Sequence, residues 1–248
     1  MTQEFNRIWN RFLKFDWRFG LALLIIVCTI RFIIVLEANV TGSYSVVSYV
    51  MIFSALTPFI FLSKKGRRQI GMTKPDSYMW LLYSLFIGFI IASLLFLLGY
   101  FLYSTSYSNW YVYIGNSYNI PVGIAGKDKL VYFLIMAISG MIFSPIGEEL
   151  FFRGIVHGSF SKSFGDKKAS VIDSLAFAVT HLSHFGIVYI SGVWKFLPVP
   201  ALLWVAGMFV LSLFFFLCRK KSGSILGAVL SHAGFNFGMI FWIFYGLN

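Results

Sequence analysis

Charge is what this sequence has least of. Only 12% of its 248 residues are Asp, Glu, Lys or Arg, where a soluble globular protein carries about 25%. Acidic residues are the scarcer kind, with Asp+Glu 9 against Lys+Arg 20 and a net charge of +11. Such a balance would fit a nucleic-acid partner only if the basic residues shared a solvated face. Here apolar runs separate them, so nucleic acid is excluded. Cysteine is nearly absent. Cys28 and Cys218 both lie inside apolar runs, which rules out a disulfide framework and leaves two small hydrophobes. What is abundant is apolar, at 58% hydrophobic and 20% aromatic residues. That excludes intrinsic disorder and puts the chain in a membrane.

A helix crosses the hydrocarbon core with about 20 apolar residues. The runs predict an all-α polytopic membrane helix bundle with about seven spans, near 19–36, 44–62, 78–103, 130–147, 169–190, 199–217 and 224–246. Strands are not expected, because the runs are continuous rather than alternating. With the N-terminus cytoplasmic, sixteen of the 20 basic residues fall in inside segments. They include Arg7 to Arg18, the Lys64–Arg68 cluster, Lys162 to Lys168 and Arg219 to Lys221, while only Lys127, Lys129 and Lys195 fall outside. This bias orients the bundle. The Lys64–Arg68 cluster reads as a topology determinant. No small-residue cleavage site follows the first apolar run, so a cleaved signal peptide is not expected. The segment 104–129 reads as an interfacial or partly re-entrant loop, with Trp110 and its tyrosines at headgroup level.

Ionisable residues inside spans are costly and mark function by default. They gather in three blocks: Pro145-Ile146-Gly147-Glu148-Glu149 through Arg153, Phe177 through His181 and His184, and Ser231-His232 through Asn236. Glu149 and Arg153 are four apart and can pair on one helix face. Glu148 is rotated by about 100° and faces elsewhere. His232 and Asn236 are also four apart and point the same way. At about 1.5 Å per residue, His181 lies ~18 Å and His232 ~12 Å from the inner boundary, with Glu148 near the inner end. One cavity in the cytoplasmic half would accommodate all three.

Such a set suits peptide hydrolysis, which needs a base for water and donors for the developing oxyanion. The same side chains are also ordinary zinc ligands. A divalent metal such as zinc, if bound, would take Glu148, His181 and His232; no His-Glu-x-x-His helix is present. The remaining ionisable residues have bland readings. Arg31 snorkels or pairs with Glu37, His157 sits on the surface beyond the membrane end, and Asp173 is interfacial or capping.

Glu148-Glu149-x-x-x-Arg153, Phe177-x-x-x-His181 and His232-x-x-x-Asn236, in this order on membrane segments, resemble the CPBP (Abi) family. Its members are CAAX prenyl-protein endopeptidases and bacteriocin-processing or bacteriocin-immunity membrane proteases. The resemblance covers about 130–246, the CPBP/Abi-like catalytic core. Residues 1–129 match only as helical segments, so the whole chain, 1–248, reads as one integral membrane domain with a variable N-terminal part. The resemblance implies an intramembrane endopeptidase acting on a membrane-associated peptide or protein, in a bacterial plasma membrane, with its site opening toward the cytoplasm. By motif position, Glu148 and His181 would activate water. His232 and Asn236 would stabilise the oxyanion, and Glu149 and Arg153 would support them. His184 matches no motif position. The rival readings are a non-enzymatic immunity or scaffold protein that keeps the motifs, and an ion or metal transporter. The latter is disfavoured by the lack of repeated halves.

Overall fold

The structure, a computed structural model, describes residues 4–247. After a short turn at Trp9–Arg11 the chain enters α1 (Trp17–Thr41), capped by the Asp16 carboxylate, which accepts from the Arg18 and Phe19 N–H groups. Then come α2 (Ser45–Phe61), α3 (Lys64–Gln69), α4 (Tyr78–Tyr103), α5 (Trp110–Asn116) and α6 (Gly126–Glu149). A π-helical segment, Leu150–Val156, carries α6 without a break into α7 (His157–Phe164). Next are α8 (Asp166–Thr180), a 3-10 turn at His181–Ser183, and the antiparallel strands β1 (Ile187–Ile190) and β2 (Val193–Phe196). The last elements are α9 (Pro198–Ser222) and α10 (Ile225–Tyr245).

This is an all-α membrane bundle. Among the described residues five helices are long and apolar enough to cross a bilayer: α1, α4, the continuous run Gly126–Phe164, α9 and α10; α2 is apolar but shorter, at 17 residues. Their outer faces expose residues that a soluble protein would cover, among them Phe101, Leu202 and Ile25. Lipid is the natural solvent for such a face.

Between helices in lipid, association rests on close packing rather than on the hydrophobic effect. α10 lies at the centre, against α4, α6 and α9. Its crossing with α4 depends on two glycines. A β-carbon on Gly88 would stand 1.8 Å from the Ser231 carbonyl oxygen, and one on Gly234 would stand 2.0 Å from that of Leu85. No other residue fits there without moving a backbone. α9 is prepared at both ends: Pro198 starts it, Arg219, Lys220 and Lys221 face the negative end of its dipole, and Gly223 closes it with φ +70°.

The stretch expected as a fifth span, 169–190, is not one helix. α8 stops at Thr180, and Ile187–Phe196 forms a hairpin that the apolar run concealed. Its turn is Ser191-Gly192, both residues at positive φ (51° and 82°). Two such residues between β-branched and aromatic stretches are a tight hairpin signal. The 104–129 segment also differs from its expectation. It contains α5, and its Trp110 and Tyr111 are fully buried rather than interfacial. The Tyr111 hydroxyl donates to the Ala92 carbonyl at 2.6 Å, and Trp110 packs against Trp204 and Phe185.

Candidate active site

The site begins where α6 gives way to the π-helical segment. Pro145, inside α6, has no N–H for the ladder, and π-turns recur at functional positions in helices. Glu148 and Glu149 stand between these two irregularities and face different ways, as their 100° offset requires.

Glu149 faces inward to a closed network. Its Oε2 lies 3.2 Å from Arg153 Nε, and its Oε1 accepts from His232 Nδ1 at 2.8 Å. Glu149 and Arg153 are both wholly buried. The Arg153 guanidinium also donates to Ser212 and lies 4.3 Å from the Phe177 ring centre and 5.2 Å from that of Phe215. Phe215 in turn stacks on His232 at 4.7 Å, and Phe177 packs on His181 at 4.2 Å. Arg153 therefore fixes both histidines through the rings on which they rest. It touches neither imidazole by hydrogen bond.

Glu148 faces the cavity. Its Oε1 accepts from Ser144 Oγ at 2.6 Å and from Arg31 Nη2 at 3.0 Å. Its Oε2 has no hydrogen-bond partner and lies 3.8 Å from His181 Nε2. The His181 ring is oriented from behind: Nδ1 donates to the Phe177 carbonyl at 2.7 Å, and Trp204 Nε1 donates to the His181 carbonyl at 3.1 Å. Nε2 is thereby left as the acceptor. Asn236 Nδ2 donates to the Gly140 carbonyl at 2.8 Å, which leaves its second hydrogen free.

Glu148, His181, His232 and Asn236 line one cavity of about 420 Å³, together with Arg31 and His184. Much of the remaining wall is apolar and adaptable, with Met51, Met136, Met208 and Met239 among it. Tyr118, in the segment after α5, contributes a hydroxyl. Burial, with Tyr44 beside it, holds that phenol well above its usual pKa, so it stays neutral.

Three sequence readings need correction. Arg31 neither snorkels nor pairs with Glu37; it is buried and bridges Glu148 and His184, whose Nε2 lies 3.4 Å away. A residue six further along a helix lies about 240° round from the first, so Glu37 was out of reach. His157 is not on the surface: it is buried at the start of α7, packed against Phe216. Asp173 is neither interfacial nor a cap. It is buried and meets His157 Nδ1 at 2.6 Å, joining α7 to α8. His184, which no motif pointed to, lines the cavity. The signal for Arg31 was present in the sequence as a lone basic residue within a span.

Among the described residues no three His, Cys, Asp or Glu side chains are grouped to hold a metal ion. The Arg31 guanidinium takes Glu148 Oε1 and His232 Nδ1 is committed to Glu149, while Glu148 Oε2 stays without a hydrogen-bond partner.

Fold and site together define a class: a helical membrane protein with a carboxylate and three imidazoles around an intramembrane cavity. Residues 130–238 match the family model described as type II CAAX prenyl endopeptidase, Rce1-like. The match covers less than half of the chain, spans all three motif blocks and agrees with the family they resemble. No curated protein and no solved structure matches the chain.

Proposed function

We propose that the chain is an intramembrane endopeptidase that hydrolyses a peptide bond in a membrane-associated peptide or protein, with Glu148 and His181 activating water. One observation carries the reading. Glu148 Oε2 and His181 Nε2, two acceptors, face each other at 3.8 Å on the wall of a cavity that His232 and Asn236 also line. A water beside them satisfies both by donating its two hydrogens, and so has its lone pairs turned toward the cavity.

The chemistry then balances simply. Glu148 takes a proton from water as the oxygen bonds to the scissile carbonyl carbon, and the carbonyl oxygen becomes an oxyanion. The Asn236 amide donates to that oxygen, with His232, held through Nδ1 by Glu149, beside it. The proton then passes from Glu148 to the amide nitrogen, and the carbon–nitrogen bond breaks as the carbonyl re-forms, leaving a carboxylic acid and an amine that settle as carboxylate and ammonium. A glutamate-type mechanism follows, with no step through a metal. The family match supports a protease, and the distribution of basic residues supports a cytoplasmic N-terminus.

The test is to compare the membrane-associated peptides and proteins of cells carrying wild-type, Glu148→Ala and His181→Ala chains. An unprocessed precursor should accumulate in both variants while the variants insert normally. Unchanged processing in Glu148→Ala cells would sink the assignment. Retention of the wild-type cellular phenotype by both variants would turn the reading to a non-enzymatic immunity or scaffold protein.

A further inference from the structure

The cavity has a direction along the bundle. On α6 its wall runs from Glu148 back to Met136, about 18 Å at 1.5 Å per residue. It ends at Gly42 and Tyr44 in the α1–α2 turn and at Ser117 and Tyr118 after α5. Ser48 and Ser139, both exposed, mark where it reaches the surface. A second cavity, of about 270 Å³, shares Gly42, Tyr44, Ser117 and His184 with the first. Its wall is mixed, with Asn39, Asn116 and Asn119 beside Ala38, Ile114 and Ile190. The second cavity therefore adjoins the first at its far end from the Glu148 carboxylate, forming a vestibule at one end of the bundle.

The basic clusters lie at the other end. There α3, α7 and the α9–α10 turn meet the N-terminal segment, through Lys162 with Glu4, the Phe5–Leu62 bridge, and Ile225 N–H with the Gly71 carbonyl. The loops at the vestibule end carry little positive charge: none lies within 42–44 or 104–125, and Lys195 is alone in the hairpin. By the rule that cytoplasmic loops hold the Lys and Arg excess, the vestibule faces away from the cytoplasm. A cytoplasmic N-terminus and a cytoplasmic opening were both expected from the sequence. In this structure they exclude each other.

We infer that the cavity takes its water and its substrate from the non-cytoplasmic face, the substrate being a polypeptide presented at the outer surface of the membrane. Its path lies over the α1–α2 turn and the segment after α5. The inference rests on the endopeptidase reading for what happens at Glu148, and on geometry and charge for the side of access.

Two positions test it in a background where Cys28 and Cys218 are replaced by alanine. Ser117→Cys and Ser48→Cys probe the cavity mouth, and Lys65→Cys on α3 is the control. Intact cells are treated with a bulky membrane-impermeant maleimide. Ser117→Cys and Ser48→Cys should label in intact cells, and Lys65→Cys only after the membrane is opened. Modification at Ser117→Cys should lower cleavage of the accumulating precursor at least tenfold, while modification at Lys65→Cys should leave it unchanged. Labelling of the mouth positions only in opened membranes, labelling of neither, or full cleavage after modification would each overturn the inference. Activity in Glu148→Gln, by contrast, would overturn the peptidase reading and leave the labelling result standing.

Discussion

The fewest charges in this chain do the most specific work, and Arg31 shows why a single buried side chain matters. It neutralises Glu148 in a region where an isolated carboxylate would be costly, and holds it against Ser144 and His181. Removing one partner of a buried ion pair costs roughly 3–5 kcal/mol, because the other charge is left without compensation. Arg31→Leu should therefore lower stability by about that amount in thermal unfolding of the detergent-solubilised protein. Arg31→Lys should recover most of the loss, and a variant as stable as wild type would contradict the role. His157 and Asp173 form a second buried pair, and there the expected signature is coupling. The double substitution His157→Ala with Asp173→Ala should cost less than the two single losses added, by about 0.5–3 kcal/mol. Strict additivity would mean that the 2.6 Å contact contributes nothing. Both pairs escaped the sequence reading for the same reason. Glu149 and Arg153 are one helical turn apart, so their pairing follows from spacing, whereas Arg31 and Glu148 are 117 residues apart and meet only because α1 packs beside the π-helical segment.

At the scale of elements, long apolar runs were legible and their ends were not. α1, α4, α9 and α10 lie where the hydropathy put them, since about 20 apolar residues have few other options in lipid. The 169–190 run failed because apolarity says nothing of backbone direction. Ser191-Gly192 reverses the chain, and the hairpin leaves α8 short, so His181 sits in a 3-10 turn at its end rather than within a span. That turn aims Nε2 at Glu148. The α4–α10 crossing is the element-level feature most open to test. Gly234→Leu would place side-chain atoms where the Leu85 carbonyl oxygen lies, forcing the two helices apart. It should abolish accumulation of folded protein, measured by monodisperse elution in mild detergent. Leu202→Ala, on the lipid-facing side of α9 at 69% exposure, should elute as wild type. Normal elution of Gly234→Leu would show that the crossing is not as tight as the structure has it.

For the whole molecule, the net charge and the site tell one story. The basic residues gather toward one end of the bundle, and Arg31, Glu148, His181, His184 and His232 converge from α1, α6, the turn after α8 and α10 on a single space. The three motif blocks were visible in the sequence because helical spacing puts each on one face. That they share a cavity with Arg31 and His184, and that the cavity leads away from the basic end, needed the fold. The central claim is that hydrolysis is driven by Glu148 in this cavity without a metal. The most direct measurement uses the purified protein in liposomes, treated exhaustively with a chelator and given the precursor that accumulates in Glu148→Ala cells. The wild-type chain should cleave it at the same rate before and after chelation, and Glu148→Gln should not cleave it at all. Loss of wild-type cleavage on chelation with recovery on adding a divalent ion, or cleavage by Glu148→Gln at the wild-type rate, would contradict the account.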